Sequence, residues 1–472
     1  MSVKNRFRLR HMCFAALLIL GAYLMAVTLP YVKHQEVSDD FAQNLSERDF
    51  YGTDVGPERV AYIATAQDAL LSRLQLIHTA QHEIILSTFD FNTDESGMDV
   101  ISALYQAAER GVHVRVLIDG GSGFLDVNGE PLFQALSCHE NVELRIYNPV
   151  DLRMPHRLQA RLHDKYLICD GVRYLLGGRN TSDLFLGVYT PEKCSVDAEL
   201  LVVCQEDAPD TSLVQLTRYF ESVWNLPSCK ALSDIPPKEL AEIQGGLSAR
   251  YADLQIRFPE AFQPWDFDVY TLETRRVNLL TNPIQPENKQ PWMWYALTWL
   301  MSDAKDVTIY TPYIICGKEM YSDIKTLTEK GTRIEIITNH VASGANPWGC
   351  ADYMNEKNRI RETGVKVYEH AGEQSAHTKL MVLDDRLSIV GSYNMDMRST
   401  YQDTELMLVV DSTALNAQIR RQIAEDKKYS CIMNENGEYQ KGEAFSPAEL
   451  PLMKRILYAL LRVLVLPIRR FL

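Results

Sequence analysis

His163-Asp-Lys165-Tyr-Leu-Ile-Cys-Asp170, six more residues, then Gly177-Gly178-Arg179-Asn180: this stretch decides the fold, because the chain writes it twice. The second copy reads His377-Thr-Lys379-Leu-Met-Val-Leu-Asp384, six residues, then Gly391-Ser392-Tyr393-Asn394. Both satisfy His-x-Lys-x4-Asp-x6-Gly-[Gly/Ser]-x-Asn. One His-x-Lys would carry no information, since any strand can contain it. Two frames of this length with matching flanks indicate a duplicated unit. In a strand, residues i and i+2 share a face, so each His is expected to project with its Lys.

Outward from the frames, the flanks repeat as well. Before the first lie EIILSTFDF from Glu83, ISALYQAAERG ending at Gly111, HVRVLIDG, and NVELRIY from Asn141. Before the second lie DVTIYTPYI from Asp306, SDIKTLTEKG ending at Gly331, TRIEIITN, and GVKVYEH from Gly364. Each series reads strand, helix, strand, strand, the rhythm of an α/β unit with a largely buried sheet. An N-terminal helix is expected from about Thr65 through Ile77. After the frames come Asp197-Ala-Glu199-Leu and Asp403-Thr-Glu405-Leu. The spacing differs: Asn180 to Glu199 is longer than Asn394 to Glu405, with the extra residues inside LGVYTPEKCSV. That makes Asp197 a substitute for Glu199 as the acidic group at the site.

Joined across a pseudo-two-fold axis, the frames would gather two imidazoles, two ammoniums and two carboxamides around one anion. A phosphodiester suits such a cage. Lysine beside each histidine would repel a divalent cation, and no HExxH or Cys/His grouping is present, so no metal and no cofactor is expected.

The frames resemble the HKD motifs of the phospholipase D superfamily. FDFNTDESG, ALYQAAERGVHVRVLIDG, YNPVD, GGRNTSDLF, YTPYI, ITNHVASG and GSYNMDMRSTYQDTEL are further similar to bacterial cardiolipin synthases, closest to the C-type branch. The likeness spans about residues 60–225 and 295–410. It implies two pseudo-symmetric phospholipase-D-type α/β lobes, each a mixed sheet flanked by helices, with one active site between them. It also implies a two-step transfer. One histidine attacks phosphorus to form a phosphohistidine; the other protonates the departing alcohol and then deprotonates the acceptor. Family precedent gives His163 as nucleophile and His377 as acid/base, although near-symmetry permits the exchange. Lys165, Lys379, Asn180 and Asn394 would stabilise the non-bridging oxygens. Glu199 and Glu405 would hold the far imidazole nitrogens. Asp170 and Asp384 complete the motifs, more as structural partners than proton carriers. The expected reaction moves a phosphatidyl group from phosphatidylglycerol to the hydroxyl of a second phospholipid; the lipid substrates implied are phosphatidylglycerol and, as an alternative, phosphatidylethanolamine. Phospholipase D hydrolysis to phosphatidic acid is the alternative; neither the acceptor lipid nor the oligomeric state is legible.

Charge excludes other classes. The net charge is −14, but residues 1–12 carry four cations and residues 451–472 carry five, with no acid in either stretch. Without those nine the remainder holds 39 Lys and Arg against 62 acids, a body at −23. Such a body repels nucleic acid, which disfavours a nuclease. A non-enzymatic membrane scaffold would be expected to carry degenerate motifs, and neither copy is degenerate. The basic ends flank apolar sequence instead. Residues 13–32 read as a retained transmembrane anchor behind a basic leader, 1–12, which places the body outside the cytoplasm at the cell membrane. Residues 449–472 read as a basic amphipathic helix, either lying at the membrane with its cations toward anionic headgroups or docked on the body with its cations solvated. Between the ends, the expected lobes are 60–226 and 276–435, joined by a connector, 227–275. The nine cysteines form no zinc pattern, and any disulfide pairing is not legible.

Overall fold

Thr65 starts the first helix of the body: its hydroxyl accepts from Asp68 N at 3.0 Å and caps Ala66–Thr79. The helix buries Leu70, Leu74 and Ile77 under the first sheet. In this computed structural model the described residues are 3–205, 208–232, 235–433, 439–447 and 449–472. Residues 1 and 2 of the expected leader lie outside them.

The strands are β1 (Glu58–Ile63), β2 (Glu83–Thr88), β3 (His113–Asp119), β4 (Val142–Tyr147), β5 (Tyr166–Cys169), β6 (Arg173–Gly177), β7 (Glu199–Cys204), β8 (Cys229–Ala231), β9 (Leu272–Glu273), β10 (Arg276–Thr281), β11 (Asp306–Tyr310), β12 (Ile314–Ile315), β13 (Arg333–Asn339), β14 (Lys366–His370), β15 (Leu380–Leu383), β16 (Leu387–Gly391), β17 (Met395–Asp396), β18 (Leu406–Asp411), β19 (Ser430–Met433) and β20 (Tyr439–Lys441). They form two nine-stranded mixed sheets and a two-stranded one. The first sheet runs β8-β4-β3-β2-β5-β6-β7-β1-β9 and the second β10-β18-β16-β15-β11-β13-β14-β19-β20. Read from opposite ends and offset by one strand, β8-β4-β3-β2-β5-β6-β7-β1 matches β19-β14-β13-β11-β15-β16-β18-β10 one for one. In each, three parallel strands joined by helices meet an antiparallel group that carries the HKD frame. The duplication expected from the sequence is therefore a duplication of topology.

The lobes share one core. Val60, Leu176, Leu200 and Val202 of the first sheet pack with Val382, Val390, Leu408 and Val410 of the second. Strands buried on both faces explain why LLVVC and LMLVV read as continuous apolar runs rather than alternating ones. Two further clusters fill the outer face of each sheet beneath its own helices.

Three expectations are corrected here. The connector 227–275 is not a free link. β8 and β9 are edge strands of the first sheet, and the helix Leu240–Arg257 buries Leu247, Tyr251 and Leu254 in the first lobe's core. Polar composition hid this, since only one face of that helix is apolar. The second lobe also runs past residue 435, because β20 pairs with β19.

The third correction concerns the C-terminal helix, Leu452–Ile468. It docks on Pro347–Glu362 through Tyr458 and Leu461. Its cations bond to the body: Lys454 Nζ donates to Ala342 O at 3.2 Å, Arg462 Nε to Asn355 Oδ1 at 2.8 Å, and Arg469 Nε to Asp352 Oδ1 at 2.6 Å. Nine large apolar side chains from Leu452 to Ile468 face outward instead. At the other end, His11–Tyr31 is the one described helix long and apolar enough to cross a membrane, and it is almost uncovered by the body. Among the described residues Cys13, Cys169, Cys194, Cys204, Cys229, Cys316, Cys350 and Cys431 form no disulfide.

Candidate active site

Each HKD frame enters its sheet from an extended run that is tied to the other lobe. Leu162 bridges Thr404, and Val196 bridges Ala376. His163 N donates to Thr404 Oγ1 at 3.2 Å, and His377 N donates to Val196 O at 2.6 Å. The His-x-Lys segments thus precede β5 and β15 rather than lying inside them. The lobes interlock at the two histidines.

The rings are held crosswise. His163 Nδ1 lies 2.8 Å from Glu405 Oε1, and His377 Nδ1 lies 2.6 Å from Asp197 Oδ2. An ionised carboxylate only accepts, so Nδ1 carries the hydrogen and Nε2 is left as the working nitrogen. Phe89 meets the His163 ring edge-on at 5.2 Å, and Phe185 meets His377 at 4.8 Å. Phe89 and Phe185 fall in FDFNTDESG and GGRNTSDLF, two of the stretches that carry the resemblance, but no sequence signal assigned them a role.

Glu199 is not an imidazole partner. Its carboxylate is buried against Arg73, with Nη1 at 2.7 Å and Nη2 at 2.5 Å, and against Arg179 Nε at 3.8 Å. The reason is register. Gly177 faces Glu199, whereas the equivalent Gly391 faces Met407. Asp197 is therefore the counterpart of Glu405, and matching DAEL to DTEL is wrong by two residues. A two-residue slip keeps a side chain on the same face, so pattern alone could not distinguish the two acids. Asp403, which the same match pairs with Asp197, accepts from Arg161 N at 3.0 Å and from Arg398 Nε at 2.9 Å.

Asp170 and Asp384 lie at the far ends of β5 and β15, away from the rings. Both adopt positive φ, +52° and +48°, a left-handed conformation that Asp tolerates better than most residues. Asp170 accepts from Gln81 N, His82 N and Glu83 N at 2.8–3.0 Å, and Asp384 accepts from Lys305 N and Asp306 N at 3.0 and 2.9 Å. Each aspartate fastens its hairpin turn to the start of the neighbouring strand. Their inclusion among catalytic groups is corrected accordingly.

The lysines break the symmetry. Lys165 Nζ donates to His163 O at 2.6 Å and stands 5.2 Å over the Phe89 ring. Lys379 Nζ lies against the His377 ring, 2.6 Å from Nδ1 and 2.9 Å from Nε2, besides reaching His377 O at 2.5 Å. Among the described residues His163 Nε2 has no such neighbour. Asn180 and Asn394 are buried beside the frames, and neither Oδ1 has a partner. An orphaned buried polar atom costs about 1–3 kcal/mol; these two acceptors would be satisfied by a ligand hydroxyl, not by the oxygens of a phosphodiester anion.

Burial dominates the site's charge states. It pushes Lys165 down to about 8, and it pushes Lys379 down to about 7 against the pull of Asp197. Burial and then Lys379 bring His377 down to about 3; burial and then both lysines bring His163 well below its usual range. Burial raises Glu405 to about 7. Burial acts the same way on Asp197, but Lys379 and His377 outweigh it and hold that carboxyl below its ordinary value. An empty cationic cage half-releases its protons. A bound phosphodiester anion would draw them back.

With this geometry established, the comparisons decide the family. A family model described as cardiolipin synthase, PLD-like domain matches residues 74–224 and 297–427, which contain both HKD frames. The chain belongs to this family. Cardiolipin synthase C of Escherichia coli is 26% identical over 394 residues, covering 74% of this chain and 80% of its own. An uncharacterised Helicobacter pylori protein is 27% identical over 402 residues, covering 77% and 78%. The crystal structure of phosphatidylserine synthase from Haemophilus influenzae superposes with a TM-score of 0.64 at 17% identity, covering 92% of this chain and 99% of that one. That likeness is one of fold. As a cardiolipin synthase, PLD-like protein, the chain is an enzyme of the phospholipase D superfamily and of the cardiolipin-synthase-like phosphatidyltransferase kind.

Proposed function

We propose that the enzyme transfers a phosphatidyl group from phosphatidylglycerol to the headgroup hydroxyl of a second phosphatidylglycerol through a phosphohistidine on His163. The supporting observation is the crossed pair of carboxylate-backed imidazoles with only His163 Nε2 free of a lysine. His163 Nε2 forms a bond to phosphorus as the phosphorus–oxygen bond to glycerol breaks, and the His377 imidazolium gives its proton to that oxygen. Neutral His377 then takes the proton of the acceptor hydroxyl. The acceptor oxygen bonds to phosphorus, the phosphorus–nitrogen bond breaks, and both rings return to their starting state. Lys165, Lys379 and the amides of Asn180 and Asn394 bear on the non-bridging oxygens as charge accumulates. His377 is neutral in the empty site; the incoming anion, set among two ammoniums, supplies the field that lets it hold a proton.

The apolar helix His11–Tyr31 is read as a membrane anchor, and the outward apolar face of Leu452–Ile468 as a second contact with the same bilayer. Together they hold the site at a lipid surface, with the body outside the cytoplasm. Purified protein in vesicles containing phosphatidylglycerol should yield cardiolipin and free glycerol in equal amounts, undiminished by a metal chelator. Phosphatidic acid as the dominant product would make the enzyme a hydrolase. Activity lost to chelator and restored by zinc would overturn the metal-free mechanism.

A further inference from the structure

A cavity of about 430 Å³ opens beside the foot of the anchor helix, outside the catalytic cage. Its wall includes Asp151, Arg153 and Arg157 from the loop after β4, with Pro227, Ser228 and Lys230. Its charge is opposite to that of the acidic body. Arg153, Arg157 and Lys230 face one acid, Asp151, and Arg153 takes both oxygens of that acid at 2.9 and 2.8 Å. Arg157 and Lys230 have no ion-pair partner among the described residues. Two polar atoms in the cavity wall, Arg157 Nε and Ser228 Oγ, are buried with no hydrogen-bond partner. An acceptor is missing from a site that offers a guanidinium, an ammonium and a hydroxyl, and a phosphate supplies such an acceptor.

The anchor determines where this cavity lies. Tyr31 Oη donates to His156 O at 2.7 Å, and Tyr23 Oη donates to Leu152 O at 2.9 Å. Tyr23 lies eight residues, about 12 Å, back along the helix from Tyr31, inside the apolar run. The loop 149–158 therefore lies against the outer part of the anchor, with Leu152 exposed there. The cavity sits at the C-terminal end of β4, three strands from β5, so roughly 14–15 Å separates it laterally from the start of the HKD strand. That is too far to share the reacting phosphorus.

We propose that this cavity is a second phosphate site, which holds the headgroup of a non-reacting anionic phospholipid of the leaflet and seats the body against it. The proposal rests on the reading of His11–Tyr31 as a membrane anchor. Arg157 and Lys230 bind the phosphate oxygens, Ser228 donates to one of them, and Leu152 enters the acyl region beside the anchor.

The test uses the full chain with His163→Ala, so that bound lipid is not turned over, with and without Arg157→Gln plus Lys230→Gln. After exchange into phosphatidylcholine nanodiscs containing a small fraction of phosphatidylglycerol, spin-labelled phosphatidylglycerol should show a motion-restricted population. The double substitution should cut that population at least fivefold and leave labelled phosphatidylcholine unaffected. In the His163 background, the same double variant should turn over dihexanoyl phosphatidylglycerol below its micelle concentration at the unsubstituted rate. An unchanged restricted population overturns the proposal. So does an equal fall on the monomeric substrate, which would make the cavity a support of the catalytic cage. Displacement of the label by millimolar inorganic phosphate would show a free-anion site and overturn the lipid assignment. Absence of turnover of the short-chain lipid by the unsubstituted enzyme would count against the proposed reaction and leave the restricted population to be judged separately.

Discussion

At the scale of single residues, the site depends on which acid backs which ring. Asp197 and Glu405 each fix a tautomer, so Asp197→Asn and Glu405→Gln should each lower kcat by about 10²-fold or more while the protein stays folded. The pH dependence distinguishes them. Glu405, raised to about 7 by burial, gains its charge as pH rises; Lys379 and Lys165, lowered to about 7 and about 8 by burial, lose theirs. The kcat/KM of the free enzyme should therefore describe a narrow bell peaking near pH 7. Glu405→Gln should flatten its acid limb only. Stopped or continuous assays across pH 5–10 decide this, and an acid limb that survives the substitution would assign that limb to another group. Gly178 carries a related constraint: a Cβ there would overlap the carboxylate of Asp197. Gly178→Ala should push Asp197 off His377 and cost activity, whereas the equivalent Ser392 uses its hydroxyl to bond Glu405. Glu199 has a different fate. Glu199→Gln leaves Arg73 and Arg179 buried without a full counter-charge and should cost about 3–5 kcal/mol of stability, read by denaturant unfolding.

At the scale of elements, the two HKD hairpins are closed by aspartates that bond backbone rather than substrate. Asp170→Ala should cost about 1–3 kcal/mol of stability, and turnover per folded molecule should stay within a fewfold of the parent. A loss of several orders of magnitude in the folded fraction would return Asp170 to the chemistry. The C-terminal helix presents its apolar face outward because Tyr458 and Leu461 claim the other side for Pro347–Glu362, and Arg462 and Arg469 follow them inward. Replacing Leu457, Leu460 and Val463 by glutamate leaves that packing intact. It should lower activity on phosphatidylglycerol vesicles about tenfold or more without affecting monomeric short-chain lipid. Equal rates on vesicles would show that the face meets something other than the bilayer.

At the scale of the whole molecule, the two lobes act as one body because their sheets share a core and their HKD approaches cross-bridge. The cage buries two ammoniums beside the raised carboxyl of Glu405, an arrangement that a bound oxyanion would stabilise. Tungstate or phosphate at millimolar concentration should raise Tm by several degrees, and Lys165→Met with Lys379→Met should abolish the rise. His163→Ala and His377→Ala should each abolish transfer and leave Tm close to the parent value.

The local chemistry was open to sequence reading. Period two, turn residues and the eighteen-residue frame are short-range signals, so the duplicated α/β lobes, His163, Lys165, His377, Lys379 and the apolar N-terminal helix could all be read from the chain. Tertiary structure decided what depends on distant partners. Asp197 and Glu199 lie on one strand face two residues apart, and only the pairing of β6 with β7 shows which one reaches His377. The connector became part of the first lobe through the packing of a single helix face. The C-terminal cations turned inward because acceptors on Pro347–Glu362 meet them there. In each case the deciding energy comes from a contact between residues far apart in the chain, and no local pattern encodes which of two equally suited side chains will make it.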